Sequence, residues 1–221
     1  MRCEAVWCGT SNLHNVMRAS CKSLLANSHV DHCYLLTDKI PKDQYYFDDP
    51  RVEWKVVDNK WFNSDGPNMT SQFTWMAMLR AALIHVLPDD LDVVLSLDCD
   101  TICVGNIDDV WKLPIDEFYF SASMEPGRSK FGLQYCNTGV ALYNLKKLRN
   151  GKADEVIDVL NRQRFSFVEQ DVFNYLCQGY ILDMPSRFNT TDFTLKCVAP
   201  RIKHFAGKKY YINEAEFREW L

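Results

Sequence analysis

The feature that most constrains this chain is Val93-Val94-Leu95-Ser96-Leu97, followed at once by Asp98-Cys99-Asp100. An apolar run broken only by a serine is the pattern of a central strand covered on both faces, the habit of a sheet sandwiched between helices. A strand that ends in two acids delivers them to the carboxyl edge of the sheet, where α/β proteins place their ligands. Side chains at i and i+2 of an extended backbone point the same way, so Asp98 and Asp100 form a pair of hard oxygen donors suited to a divalent cation. A solvated strand end or a turn cap also explains an isolated Asp-x-Asp. Carboxylates left unpaired beside a buried strand are costly, however, and that weighs toward a bound charge.

The flanking sequence completes an α/β alternation. Glu4–Cys8 reads as a short buried strand. After the turn Gly9-Thr10-Ser11-Asn12, the residues Leu13, Val16, Met17, Leu24 and Leu25 recur at helical spacing, with Ser11 or Asn12 as the cap. His32–Thr37 and Val52–Val57 are further strands, and Asn59–Asn68 is a loop. A helix is predicted from Thr70 to Leu87, stopped by Pro88. Downstream, Phe118–Ser121 and Gly139–Tyr143 read as strands, with Asn137-Thr138-Gly139 a turn into the second. Ala153–Leu160 and Val172–Cys177 read as helices. No repeat, linker or low-complexity tract divides the 221 residues, so one α/β domain over 1–221 is expected.

Charge and cysteine usage exclude several classes. Lys and Arg number 25 against 29 Asp and Glu, a net charge of −4 without long blocks of one sign, which argues against nucleic-acid binding through bulk charge. The longest apolar runs fall far short of the ~20 residues that cross a bilayer. The start Met1-Arg2-Cys3-Glu4 carries an acid where a signal peptide needs an apolar core, and a cytoplasmic protein is expected. The nine cysteines are an odd number without a CxxC pair, the usage of buried free thiols. Sequons at Asn68 and Asn189 would matter only in a secreted protein. A dinucleotide-binding Gly-x-Gly-x-x-Gly does not occur.

Three further segments carry candidate chemistry. On the predicted helix Arg80 falls on the same face as Phe73, Met76, Leu83 and Leu87, and a guanidinium there needs an anionic partner, whether a core carboxylate or a ligand, unless it snorkels to the surface. His204 ends the stretch Arg201-Ile202-Lys203-His204 and precedes Gly207, Lys208 and Lys209, so one nitrogen ligand and a flexible cationic loop lie together. Glu169-Gln170-Asp171 opens the last helix, where the helix dipole by itself favours acids.

Taken in order, these segments resemble glycosyltransferase family 8, over nearly the whole chain. Leu95-Ser96-Leu97-Asp98-Cys99-Asp100 is similar to the family's Leu-Tyr-Leu-Asp-x-Asp, and Asn137-Thr138-Gly139-Val140-Ala141-Leu142-Tyr143-Asn144-Leu145 to its Asn-(Ser/Ala)-Gly-Val-x-Leu-x-Asn-Leu. Glu169-Gln170-Asp171 stands where the family has Asp-Gln-Asp. Arg187-Phe188-Asn189 and His204-Phe205-Ala206-Gly207 match Arg-Phe-Asn and His-Phe-x-Gly. The resemblance implies a GT-A, Rossmann-like fold with a central, mostly parallel mixed sheet flanked by helices.

It further implies transfer of a hexose, glucose or galactose, from a UDP-sugar to an acceptor with retention of configuration. Asp98, Asp100 and His204 would hold Mn2+ or Mg2+. Arg80, Cys8, Gly9, Thr10, Asn12, Cys99, Gly207 and Lys209 would surround the nucleotide diphosphate. Asn137, Glu169 and Gln170 would line the sugar pocket, and no nucleophile is assigned: an amide is a poor one, and front-side attack guided by the leaving diphosphate is an equal candidate. On the acceptor side, Glu125 and a loop over Pro126–Gln134 bearing Arg128 and Lys130 are candidates. Two alternatives stand beside this reading. A haloacid-dehalogenase-like phosphatase would use Asp98 and Asp100, although no Gly-Asp follows Asp100. A non-catalytic nucleotide-sugar-binding protein would keep the site without turnover.

Overall fold

A computed structural model describes residues 2–42, 46, 48–70, 74–130, 133–192, 194, 197, 199–208 and 210–221, with 126–130 and 133–134 as backbone alone. The Val93–Leu97 run is a strand, and every one of its residues is buried. In chain order the elements are β1 (Glu4–Cys8), α1 (His14–Asn27), β2 (His32–Thr37), β3 (Val52–Val56), α2 (Trp75–Met78), α3 (Leu83–Val86), β4 (Val93–Leu97), β5 (Thr101–Cys103), β6 (Phe120–Lys130), β7 (Leu133–Asn144), α4 (Leu145–Leu148), α5 (Lys152–Arg162), α6 (Val168–Leu176), β8 (Ile181–Asp183), β9 (Ile202–His204) and α7 (Ala215–Arg218).

Seven strands form one sheet in the order β3, β2, β1, β4, β7, β6, β8, and β5 pairs with β9 in a small second sheet. β1 is parallel to β2 and β4, and β2 to β3. β7 is antiparallel to both β4 and β6, while β8 is parallel to β6. Only β7 therefore runs against the rest, and the expected mostly parallel mixed sheet is present.

Alternation along β4 divides its side chains between two cores. Val94 packs on one face with Val6, Leu36, Phe120, Tyr143 and Phe173. Leu95 and Leu97 pack on the other with Trp7, Leu35 and Leu142. Complete burial of side chains of this size contributes about 1.5–3 kcal/mol each, which makes β4 the anchor that fixes where Asp98 emerges.

Several sequence expectations need correction. The helix predicted over Thr70–Leu87 is broken: Thr74 is extended, and α2 and α3 are separated by a 3-10 turn over Leu79–Ala82 that carries Arg80. Phe73 lies outside the described residues. Neither Ser11 nor Asn12 caps α1, because both belong to a 3-10 turn, Ser11–Leu13, that precedes it. The loop expected over Pro126–Gln134 is in its described backbone a continuation of β6 and β7, with Ser129 paired to Gln134 and Lys130 to Leu133. The side chains of Arg128 and Lys130 lie outside the description.

Asn137-Thr138-Gly139 is not a turn into a strand. Ala122 of β6 pairs with Ala141, yet the next residue, Ser123, pairs with Asn137, so β7 carries a bulge across Thr138–Val140. Such bulges re-aim side chains and backbone at functional edges. None of the nine cysteines is joined in a disulfide. Both sequon asparagines are buried, and the Asn68 amide is engaged by Leu160, Gln163 and Phe165, so neither is placed to accept a glycan. No helix among the described residues is long and apolar enough to cross a membrane.

Candidate active site

Asp98-Cys99-Asp100 does not extend β4 but turns into β5, and that turn builds the site. β5 pairs antiparallel with β9, with Thr101 opposite His204, which carries the histidine back beside the acids. His204 Nε2 lies 3.4 Å from Asp98 Oδ2 and 3.3 Å from Asp100 Oδ1. The donor atoms of the three side chains all fall within 4.8 Å of one another. Cys99 turns the opposite way, into the core beneath Gly9.

Burial would lower the His204 imidazole, but Asp100 and Asp98 outweigh it and raise it to about 10. Burial would likewise raise the Asp98 carboxyl, yet Arg80 and then His204 hold it well below the usual carboxylate range. The three side chains thus form a strongly interacting charge cluster.

The β7 bulge allows this approach. Gly139 accepts a 2.6 Å hydrogen bond from the Asp98 N–H. A Cβ at Gly139 would sit 2.7 Å from Asp98 Oδ2 and closer still to the His204 ring, so only glycine leaves room for the histidine.

Arg80 does what its sequence position required. Its Nη1 lies 2.9 Å from Asp98 Oδ1, its Nη2 2.6 Å from Glu169 Oε1, and Nη1 also donates to Thr138 O at 2.8 Å. Glu169 is 2% exposed. Its burial outweighs the opposing pull of Arg80 and pushes its carboxyl up to about 7.

Gln170 is held at both ends of its amide. Its Oε1 accepts from Thr138 N at 3.0 Å and from Thr138 Oγ1 at 3.3 Å, and its Nε2 donates to the Tyr135 hydroxyl at 2.8 Å. Tyr135 donates onward to Asp171 Oδ1 at 2.5 Å, and Asp171 Oδ2 accepts the N–H groups of Ser166 and Phe167. Asn137 donates to Glu125 Oε1 at 3.0 Å, which brings the acceptor-side candidate next to the sugar-side one.

β1 is the in-register neighbour of β4, with Trp7 opposite Leu97, so the first loop lies beside the acid turn. Cys99 Sγ donates to Cys8 O at 3.5 Å, Gly9 N to Leu36 O at 3.0 Å, and Thr10 to the Asn12 side chain. Gly207 adopts φ +75°, a conformation suited to glycine, after β9. Lys208 pairs with Asp192 and Glu214, and Lys209 lies outside the described residues.

Sequence reasoning missed Gly139, Tyr135 and Thr138 as parts of the site. The bulge that carries Thr138 and Gly139 depends on β6 and β7 register, which no local pattern in β7 encodes. Asp38 was also missed: its Oδ1 accepts the Ser11 N–H at 2.6 Å at the end of β2, which supplies an acid to a first loop that has none of its own.

Comparison with known proteins decides the family. The family model described as Glycosyl transferase family 8 matches residues 16–209. The chain belongs to that family. Lipopolysaccharide 1,2-glucosyltransferase of Escherichia coli (strain K12) is 31% identical over 132 residues, 53% of this chain and 38% of that protein. Glycosyltransferase GlyE of Streptococcus pneumoniae serotype 4 is 26% identical over 191 residues, 80% of this chain and 44% of that protein. The chain therefore spans less than half the length of these relatives. Among solved structures, the galactosyltransferase LgtC in complex with donor and acceptor sugar analogues has a TM-score of 0.81 at 18% identity, covering 98% of this chain and 94% of that one. The fold is the GT-A fold.

Proposed function

We propose that this glycosyltransferase moves a hexose, glucose or galactose, from a UDP-sugar to an acceptor hydroxyl with retention, using Mn2+ or Mg2+ held by Asp98, Asp100 and His204. The convergence of those three side chains at the sheet edge carries the reading. Two hard carboxylates and one imidazole fit a divalent cation of this kind. A bound cation would neutralise the charge that develops on the departing diphosphate.

The protein's own groups prepare the remainder. Arg80 orients Asp98 and adds a fixed positive charge in a buried setting, where such charges act most strongly on a developing anion. Cys8, Gly9, Thr10 and Asn12 would line the nucleotide beside that edge, with Gly207 and Lys209 as further candidates, whereas the Cys99 side chain faces the core. Asn137, Glu169 and Gln170 would face the donor sugar, with Gln170 fixed by Thr138 and Tyr135. Asp171 is 1% exposed and engaged by Tyr135 and two backbone amides, which supports front-side attack over a carboxylate nucleophile at that position.

The seven-stranded sheet running from β1 to β8 supports reading 1–221 as one catalytic domain. Nine cysteines outside disulfides support a reducing, cytoplasmic setting. Family membership leaves the phosphatase reading of Asp98 and Asp100 without support.

The test is donor turnover by chelator-treated protein. UDP-glucose or UDP-galactose should release UDP only after Mn2+ or Mg2+ is restored, with the anomeric configuration kept in the product. Cation-independent release or an inverted product would overturn the reading.

A further inference from the structure

We infer that Asn189 is a positioning residue that fixes the tautomer of His204 and reserves its Nε2 for the divalent cation. The inference rests on reading Asp98, Asp100 and His204 as cation ligands.

The argument runs from a group that can only donate. The backbone N–H of Gly139 donates to Asn137 Oδ1 at 2.9 Å, which identifies that atom as the amide oxygen. The nitrogen of the same amide then donates to Glu125 Oε1 at 3.0 Å, so both ends of Asn137 agree. Asn137 Oδ1 also receives Asn189 at 2.9 Å, so the group Asn189 presents there must be its NH2, which reaches the Asn137 backbone carbonyl too, at 3.2 Å. The Asn189 oxygen is thereby turned to His204 Nδ1, 2.9 Å away. An amide oxygen only accepts, so Nδ1 must carry the hydrogen.

Without a cation the acids favour a ring protonated on both nitrogens. A histidine must give up one hydrogen to bind a cation, and with Asn189 holding the hydrogen on Nδ1 it is Nε2 that is freed as a lone pair. That is the nitrogen facing Asp98 and Asp100. Asn189 is 2% exposed and His204 5%, so water has little access to substitute for a misdirected amide. The opposite tautomer would set the His204 lone pair against the Asn189 oxygen and a hydrogen toward the cation, leaving buried polar groups unsatisfied. The relay runs His204, Asn189, Asn137, Glu125 and joins β9 to β7 and β6, so the ring orientation is set by the β7 bulge rather than by β9 alone.

Calorimetric titration of the full chain with Mn2+ alone tests this, on wild type, Asn189→Ala and Asn189→Asp, with the cation-free melting temperature of each protein measured alongside. Asn189→Ala removes the acceptor and should weaken Mn2+ binding about 10–100-fold, the usual effect of deleting a hydrogen-bond partner of a metal-binding histidine. Asn189→Asp keeps an oxygen for the Nδ1 hydrogen but loses the donor to Asn137. It should melt earlier than wild type yet keep near-wild-type Mn2+ affinity. Should Asn189→Ala fail to fold, Asn189→Ser, too short to reach Nδ1, takes its place with the same expectation. Mn2+ bound by the alanine variant as tightly as by wild type would overturn the inference, as would affinity that falls in step with melting temperature in both variants. A wild type that binds no Mn2+ would overturn the cation reading itself, a result distinct from both.

Discussion

Nη1 of Arg80 lies 2.9 Å from Oδ1 of Asp98, so the first acid of the Asp-x-Asp pair is oriented by a guanidinium from the 3-10 turn between α2 and α3. The other arm of the fork grips Glu169. One guanidinium thus serves two acids, the half-buried Asp98 and the fully buried Glu169. A planar five-donor guanidinium suits that task, and a lysine ammonium does not.

Replacing Arg80 with methionine removes the guanidinium that bridges Asp98 and Glu169. Breaking a buried pair from one side typically costs about 3–5 kcal/mol. Urea unfolding of Arg80→Met should show a loss of that order, and Arg80→Lys should recover part of the stability while leaving donor turnover impaired. An Arg80→Met protein as stable as wild type would contradict the bridging role.

Glu169 gives a pH dependence with a definite sign. Its carboxyl rises from the ordinary 4.5 to about 7 in the folded chain, so between those values the folded state binds more protons than the unfolded one. Stability must then fall as pH rises through that window, with the full penalty present above about 7 and none below the unfolded value. Subtracting the stability profile of Glu169→Gln from that of wild type between about pH 4 and 8 should leave a decline on the order of 3 kcal/mol. Parallel profiles would mean that Glu169 titrates normally.

Gly139→Ala tests the close approach at the bulge. The added methyl collides with the His204 ring and with Asp98, and neither neighbour can yield, since both are pinned by other bonds. Cation-dependent stabilisation by UDP should be lost or greatly reduced, and a structure of the variant should show His204 displaced. Unchanged cation dependence would show that His204 is not required where it stands.

Tyr135→Phe deletes the hydroxyl that accepts from Gln170 and donates to Asp171. Two hydrogen bonds are lost and a buried carboxylate oxygen loses a donor, a cost of about 1–3 kcal/mol. If the Gln170 amide must be held for reaction, kcat should fall while the KM for the donor changes little. Equal kcat would make the tyrosine a purely structural group.

How much of this was legible in the sequence follows from the range of each interaction. β4 was readable because burial on both faces leaves an apolar run, and the Asp-x-Asp position followed from where the run stops. Arg80 was flagged because a guanidinium on an apolar helical face is anomalous, although the helix itself proved to be two short pieces around a 3-10 turn. His204 was readable through its motif, but its approach to Asp100 depends on β5 and β9 pairing across about a hundred residues of chain. The bulge at Thr138–Val140 reads as a turn in the sequence, because Asn-Thr-Gly has turn composition and the inserted residues show only against the β6 partner.

The most direct test of the central claim is thermal unfolding with UDP, with and without Mn2+, on wild type and Asp100→Asn. A ligand at about 100 times its dissociation constant stabilises a fold by about 2.7 kcal/mol, which for a chain of this size raises the melting temperature by roughly 5–10 °C. The account predicts that rise for wild type only when Mn2+ and UDP are present together, and its absence in Asp100→Asn. Stabilisation by UDP that is indifferent to Mn2+ or to Asp100 would contradict it.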